Sequence, residues 1–216
     1  MPKSNKTLIL FNASSIVGGK TRQNEIVFGF TLSLSVIPGY LEVMNSYLWT
    51  RKLLELYDKA VDLYRGGNRD LDSYFSAEEQ AWLTSVGLRP INLYDWAEDM
   101  VSSGEPDWNT VLLIAAARRD YFLVHQKGVT ATTVTEAAEL PAKTEELEGI
   151  SWLPRIIAKA TCFLKGGLCH EIMYCCGGDR RFLKEHDIHP ADFLRAVWAS
   201  GGDQAKVLAF VKGAAK

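Results

Sequence analysis

The sequence predicts a mainly α-helical protein made of two related helical modules, an internal duplication, preceded by a small N-terminal β segment. Three observations predict it. A shift of 100 residues aligns residues 53–98 with 153–198 without a gap. Apolar residues in both stretches recur at three and four positions, the spacing of one helical face. Glycine and proline punctuate both stretches at matching places, Gly66-Gly67 with Gly166-Gly167 and Pro90 with Pro190. Eight of the 46 aligned positions are identical. The differences around them keep physical type, as in Leu56/Ile156, Arg65/Lys165, Glu79/Asp179 and Trp82/Phe182.

In chain order, residues 1–40 read as a β-containing segment, because Phe30, Leu32, Leu34 and Val36 alternate with Thr31, Ser33 and Ser35. Residues 41–120 form the first module. Its first helix places Leu53, Leu56, Tyr57, Ala60, Leu63 and Tyr64 on one face and stops at Gly66-Gly67. Ser76-Ala77-Glu78-Glu79 is a capping box that starts a second helix. Arg89-Pro90 opens a third, and a fourth is expected over about 106–119. Residues 121–150 are a strand and an acidic linker: YFLV and the β-branched run VTATTVT favour strand, joined in a minor sheet with residues 1–40. Residues 136–149 (EAAELPAKTEELEG) lack aromatics and read as the link between copies. Residues 151–216 repeat the module, with Leu153, Ile156, Ile157, Ala160, Phe163 and Leu164 on the first helix and a last helix over about 203–212. The first helices are expected to face each other in a pseudo-twofold arrangement, with Tyr47 and Trp49 covering the groove between copies and a ligand cleft at the seam.

Composition narrows the function classes. The 216 residues carry 24 Lys+Arg against 26 Asp+Glu, a formal charge of -2. That balance removes the simplest case for nucleic acid, whose affinity rests on an excess of cations. No stretch reads as a membrane span; Thr7–Phe11 is too short even for a signal-peptide core. All four cysteines, Cys162, Cys169, Cys175 and Cys176, fall within fifteen residues, so a cytoplasmic protein with reduced thiols is expected rather than a disulfide scaffold. The expected partner is a small-molecule ligand or a protein, with no nucleic acid, no membrane and no cofactor; sequence leaves the oligomeric state open.

Within the second module, Trp152-Leu153-Pro154-Arg155 followed by FLKGG, Tyr174, Cys176-Gly177-Gly178-Asp179 and Arg181-Phe182-Leu183 resembles the bacterial domain-of-unknown-function family 5069. The resemblance runs over about 141–211, and the stretch at about 53–115 looks like a diverged copy with Leu54, Glu55 and Ser76 in place of Pro154, Arg155 and Cys176. It implies a small helical module and no particular activity.

The candidate catalytic residues are Cys176, Asp179, Tyr174 and His170. Cys176 stands before Gly177-Gly178 at the start of a helix rich in arginine, where a thiol gains thiolate character and suits a nucleophile or redox sensor. His170 and His186 are the candidate partner bases. Arg155 and Arg180 are the candidate ligand-binding residues. Arg155 is also read as the partner of Asp179, fixing the first helix to the second. The spacing of Cys169, Cys175 and Cys176 is wrong for a closed zinc site, so no metal is expected. Ser14 to Thr21 lacks the first glycine of a phosphate loop and its strand–loop–helix setting. Three functions stay open: a binding module with its ligand at the seam, a small-molecule enzyme around Cys176 and Asp179, and a thiol or metal sensor.

Overall fold

Two amphipathic helices at matching positions of the sequence organise the molecule, and the remaining helices pack on their apolar faces. The computed structural model describes residues 47–167 and 171–214. The β segment expected over residues 1–40 lies outside the described residues, as do Cys169 and His170. Eight α-helices are present among the described residues: α1 (Trp49–Arg65), α2 (Ala77–Ser85), α3 (Pro90–Ser103), α4 (Trp108–Asp120), α5 (Leu153–Lys165), α6 (Gly177–Glu185), α7 (Pro190–Ser200) and α8 (Gln204–Ala214). None of the described helices is long and apolar enough to cross a membrane.

The local signals act where the sequence puts them. Ser76 Oγ accepts from Glu79 N while the Glu79 carboxylate accepts from Ser76 N, so both ends of the capping box at α2 are made. Asp107 caps α4 by accepting from Thr110 N. Pro90 and Pro190 stand in the first turns of α3 and α7, where no intrahelical donor is lost. Helices α2 and α6 each span nine residues and begin at Ala77 and Gly177.

In the first half α1 lies chiefly against α3, burying Leu53, Leu56, Tyr57, Ala60, Val61 and Tyr64. In the second half α5 lies against α7 and α8. The halves do not meet through α1 and α5 as their principal contact. The seam is built on α4, which packs on α7 and α5, while its counterpart α8 packs within its own half. Aromatic rings cross the join: Trp96 of α3 meets Phe163 of α5 edge to face at 6.4 Å, and Tyr121 meets Trp198 of α7 at 5.4 Å. One core cluster therefore runs through both halves. Tyr47 is exposed rather than covering a groove, and the ring of Trp49 lies under the Arg119 guanidinium.

Residues 121–150 depart from expectation. Tyr121–His125 continues α4 as a π-helical turn with Tyr121 and Phe122 buried, because those rings are needed under α7 and beside Gly87. Among the described residues the run VTATTVT forms no strand; Thr135 N donates to Gly167 O at 2.6 Å, and Thr135 Oγ1 lies 3.2 Å from Cys162 Sγ. Gly167 is required there, since a Cβ would stand 2.6 Å from Thr133 O. The described sheet instead straddles the end of the expected linker and the start of the second module. Strands β1 (Glu146–Leu147) and β2 (Ile150–Ser151) pair antiparallel, Glu146 opposite Ser151 and Leu147 opposite Ile150. Glu148 and Gly149 both have positive φ, the signature of a two-residue hairpin turn. That hairpin delivers the chain to Trp152 and the start of α5.

Candidate functional site

The site begins at the carboxylate of Asp179, which has no solvent exposure. Asp179 sits in the first turn of α6. Its Oδ1 accepts from Trp152 Nε1 at 3.0 Å; its Oδ2 accepts from Lys159 Nζ at 2.5 Å and from Cys175 N at 2.9 Å. Three donors, one of them the opposite charge of Lys159, meet the desolvation cost that a lone buried carboxylate would carry. Lys159, one turn along α5 from Arg155, is itself buried, and its Nζ lies 3.2 Å from Cys176 Sγ.

The expected Arg155–Asp179 pair is therefore corrected. Lys159 takes the carboxylate, because it projects from the buried face of α5, whereas Arg155 is half-buried and donates to Pro141 O at 2.7 Å. Two non-glycine residues with left-handed backbone flank the same carboxylate, Trp152 at φ 71° and Cys175 at φ 69°. Such conformations cost about 1–3 kcal/mol each and persist where the surroundings over-determine them. Here the reward is visible: both residues donate to Asp179. Gly178 completes the fit, since a Cβ there would stand 2.6 Å from Trp152 Cζ2.

Cys176 is the N-cap residue of α6 and is half-buried, with no side-chain capping bond of its own. Its neighbour Cys175 is buried, and burial pushes that thiol up to about 12. Only one of the two adjacent thiols is thus presented to solvent.

Cys176 opens onto a cleft of about 580 Å³ between the halves. Asp95, Glu98 and Asp99 of α3 line one wall. Trp152, Arg155, Lys159, Gly178 and Arg181 line the other, with Lys143 and Glu171 at the mouth. Burial, reinforced by Glu98 and Asp99, raises the carboxyl of Asp95 to about 8, against the opposing pull of Arg89 and Lys159. Glu98 also accepts from Tyr64 Oη at 2.7 Å, which fixes its side chain to α1.

Two of the sequence candidates fall elsewhere. Tyr174 is buried; its hydroxyl donates to Pro190 O at 2.8 Å and its ring stacks on Phe163. Burial raises its hydroxyl well above the ordinary tyrosine value, and it is a strut between the turn before α6 and the start of α7 rather than a group in the cleft. Arg180 is buried, is not among the residues lining the cleft, and ties the halves together. Its Nη1 donates to Asp99 Oδ2 and to Cys175 O, each at 2.7 Å. Its Nε lies 3.3 Å from Glu105 Oε2, off the hydrogen-bonding direction, and Lys184 adds a second ion pair to Glu105. These bonds make Arg180 a clamp across the seam. His186 Nδ1 is engaged with Phe182 O at 2.8 Å, and His170 lies outside the described residues.

Sequence reasoning missed Lys159 and Asp95. Lys159 had a signal: Lys59/Lys159 is one of the identities, and Glu79/Asp179 keeps its charge. Lys59 Nζ indeed meets Glu79 Oε2 at 2.7 Å, so the same positions carry an ion pair in both halves. Asp95 had none, because its partners across the cleft come from the other half. Among the described residues no group of three or more His, Cys, Asp or Glu side chains is placed to hold a metal ion. No family model matches the chain, and neither a curated protein nor a solved structure is found to be similar to it.

Proposed function

We propose that the protein is a binding module for a small polar molecule held in the cleft between its halves, with Cys176 on the wall of the site. The observation that carries this reading is the cleft itself. It has metabolite-sized volume, within the roughly 300–1,000 Å³ common for ligand sites, and it is lined from both halves by α3, α5 and α6. The strained residues Trp152 and Cys175 support it, since such strain concentrates at functional positions.

A duplicated origin belongs to the same reading. The recurring helix starts at Ala77 and Gly177 and the recurring pairs Lys59–Glu79 and Lys159–Asp179 support it. So does the lining of a cleft on α1 and α2 by Lys52, Glu55, Lys59, Ser76 and Glu78, each 100 residues before a residue of the seam cleft. The likeness of the second half to family 5069 adds a module and no chemistry.

The test uses Cys176 as a built-in reporter. Iodoacetamide labelling followed by peptide mass spectrometry should modify Cys176 and leave Cys175 unlabelled in the folded protein. Members of a panel of small polar metabolites should then slow labelling of Cys176. A panel in which no compound raises the melting temperature or protects Cys176 counts against the reading.

A second reading, an enzyme with Cys176 as nucleophile, is favoured by one contact, the 3.2 Å approach of Lys159 Nζ to Cys176 Sγ. Cys176→Ser would then bind the ligand as before and lose turnover. A pure binding module would keep both binding and its biological output in that variant.

A further inference from the structure

The first-half wall of the seam cleft is acidic, and the rest of the lining carries four cations, Lys143, Arg155, Lys159 and Arg181, against one acid, Glu171. Every acid on the first-half wall, Asp95, Glu98 and Asp99, comes from one turn of α3. The opposite wall presents Arg155 from α5 and Arg181 from α6, with Lys159 behind them. Asp99 is paired across the seam with Arg180, which lies outside the cleft lining, and Lys159 is paired with Asp179; among the described residues no ion pair joins Asp95 or Glu98 to Arg155 or Arg181. Arg155 spends one donor on a backbone carbonyl, and a guanidinium has five. An acidic surface and a mainly cationic one thus line the same cleft of about 580 Å³.

From this juxtaposition we infer that the ligand of the cleft is a small zwitterion, its oxyanion end on Arg155 and Arg181 and its cationic end on Asp95 and Glu98. The inference rests on the binding reading above and names its ligand class. A molecule with one charge would satisfy one wall and leave the other desolvated and unpaired, which is costly. A molecule with both replaces water on both walls at once. Burial first, and then repulsion from Glu98 and Asp99, raises the proton affinity of Asp95, with Arg89 and Lys159 offsetting it only in part; a cation bound beside it would favour its charged form. Trp152 supplies an apolar face beside Gly178 for the carbon skeleton between the two ends.

The test is a ladder of ω-amino acids, β-alanine, 4-aminobutanoate and 6-aminohexanoate, with phosphoethanolamine as the phosphate-ended member and propylamine and propanoate as single-charge controls at equal ionic strength. The readout is the rate of Cys176 alkylation. At least one zwitterion should slow labelling roughly tenfold at a concentration where the controls slow it less than about twofold, because each charge-assisted contact is worth a sizeable factor in affinity. The best rung of the ladder gives the span, and comparison of carboxylate with phosphate ends identifies the oxyanion. Arg181→Gln and Asp95→Asn, at exposed and half-buried positions, should each remove most of the protection without lowering the melting temperature.

Equal protection by a single-charge control, or protection that survives both substitutions, overturns the zwitterion. If none of these probes protects while a compound from the wider panel does, the zwitterion fails and the cleft stands as a binding site. If nothing protects, both fail together.

Discussion

The pair Lys59–Glu79 in the first half and Lys159–Asp179 in the second stand at the same positions 100 residues apart, but in opposite surroundings. The Lys59 side chain is 41% exposed and Glu79 20%, against 4% for Lys159 and 0% for Asp179. In the first half, Lys52, Glu78 and Ser76 stand where the second has Trp152, Gly178 and Cys176. The indole of Trp152 covers the pair only because Gly178 leaves room, so the tryptophan, the glycine and the burial form one unit. An exposed pair is a surface decoration with little energetic weight. The same pair under a tryptophan becomes a fixed polar centre whose members cannot be removed one at a time. Identical chemistry at equivalent positions thus does different work according to what stands above it.

The comparison breaks first at Asp179. Asp179→Ala leaves the Lys159 ammonium, Trp152 Nε1 and Cys175 N without their acceptor, and should cost about 3–5 kcal/mol in chemical denaturation. Its counterpart Glu79→Ala should cost no more than about 1–2 kcal/mol, most of that from the lost capping box. Equal losses would show that burial is not what separates the two pairs. Arg180→Met comes next, because it strips Asp99 of its cation and frees the Cys175 carbonyl; a loss of about 2–4 kcal/mol is expected. Gly178→Ala should cost about 1–3 kcal/mol through collision with Trp152, and a second change, Trp152→Leu, should recover part of it. Such recovery is the signature of coupled neighbours.

The smallest effect sharpens the picture through pH. The folded-state value of Asp95 is raised above its unfolded value, so folding takes up a proton there. Its contribution to stability is full below the ordinary carboxylate range near 4 and is lost as pH rises toward about 8. Asp95→Asn should flatten stability over that window and gain about 1 kcal/mol at pH 9, a figure discounted for partial exposure. A wild-type chain whose stability is level from pH 5 to 8 would count against the buried acid.

The helices were legible because their signals are local. Ser76 with Glu79, Gly66-Gly67 and the prolines at 90 and 190 act within one turn of chain, and nothing in the tertiary structure overrides them. The strand expected over 121–135 failed for the opposite reason. A β-branched run needs a partner edge, and among the described residues this one meets the end of α5 instead, while Tyr121 and Phe122 are drawn into the core as α4 continues. Of the site, Cys176 and Asp179 were readable from their place at a helix start. Tyr174 and Arg180 look identical in sequence to cleft residues; their burial separates them, and burial is decided by helices far away in the chain. Asp95 could not be found at all, since it acquires meaning only once α3 is laid against α5 and α6.

Helix α4 belongs to the first half by sequence and to the second by packing, so neither half owns a complete hydrophobic interior. Cutting the chain near residue 130 would leave the N-terminal piece with an uncovered helix and the C-terminal piece with an uncovered groove. Two halves that share one interior in this way lose their independence. Calorimetry should then record one melting event rather than two, with the whole molecule as the cooperative unit.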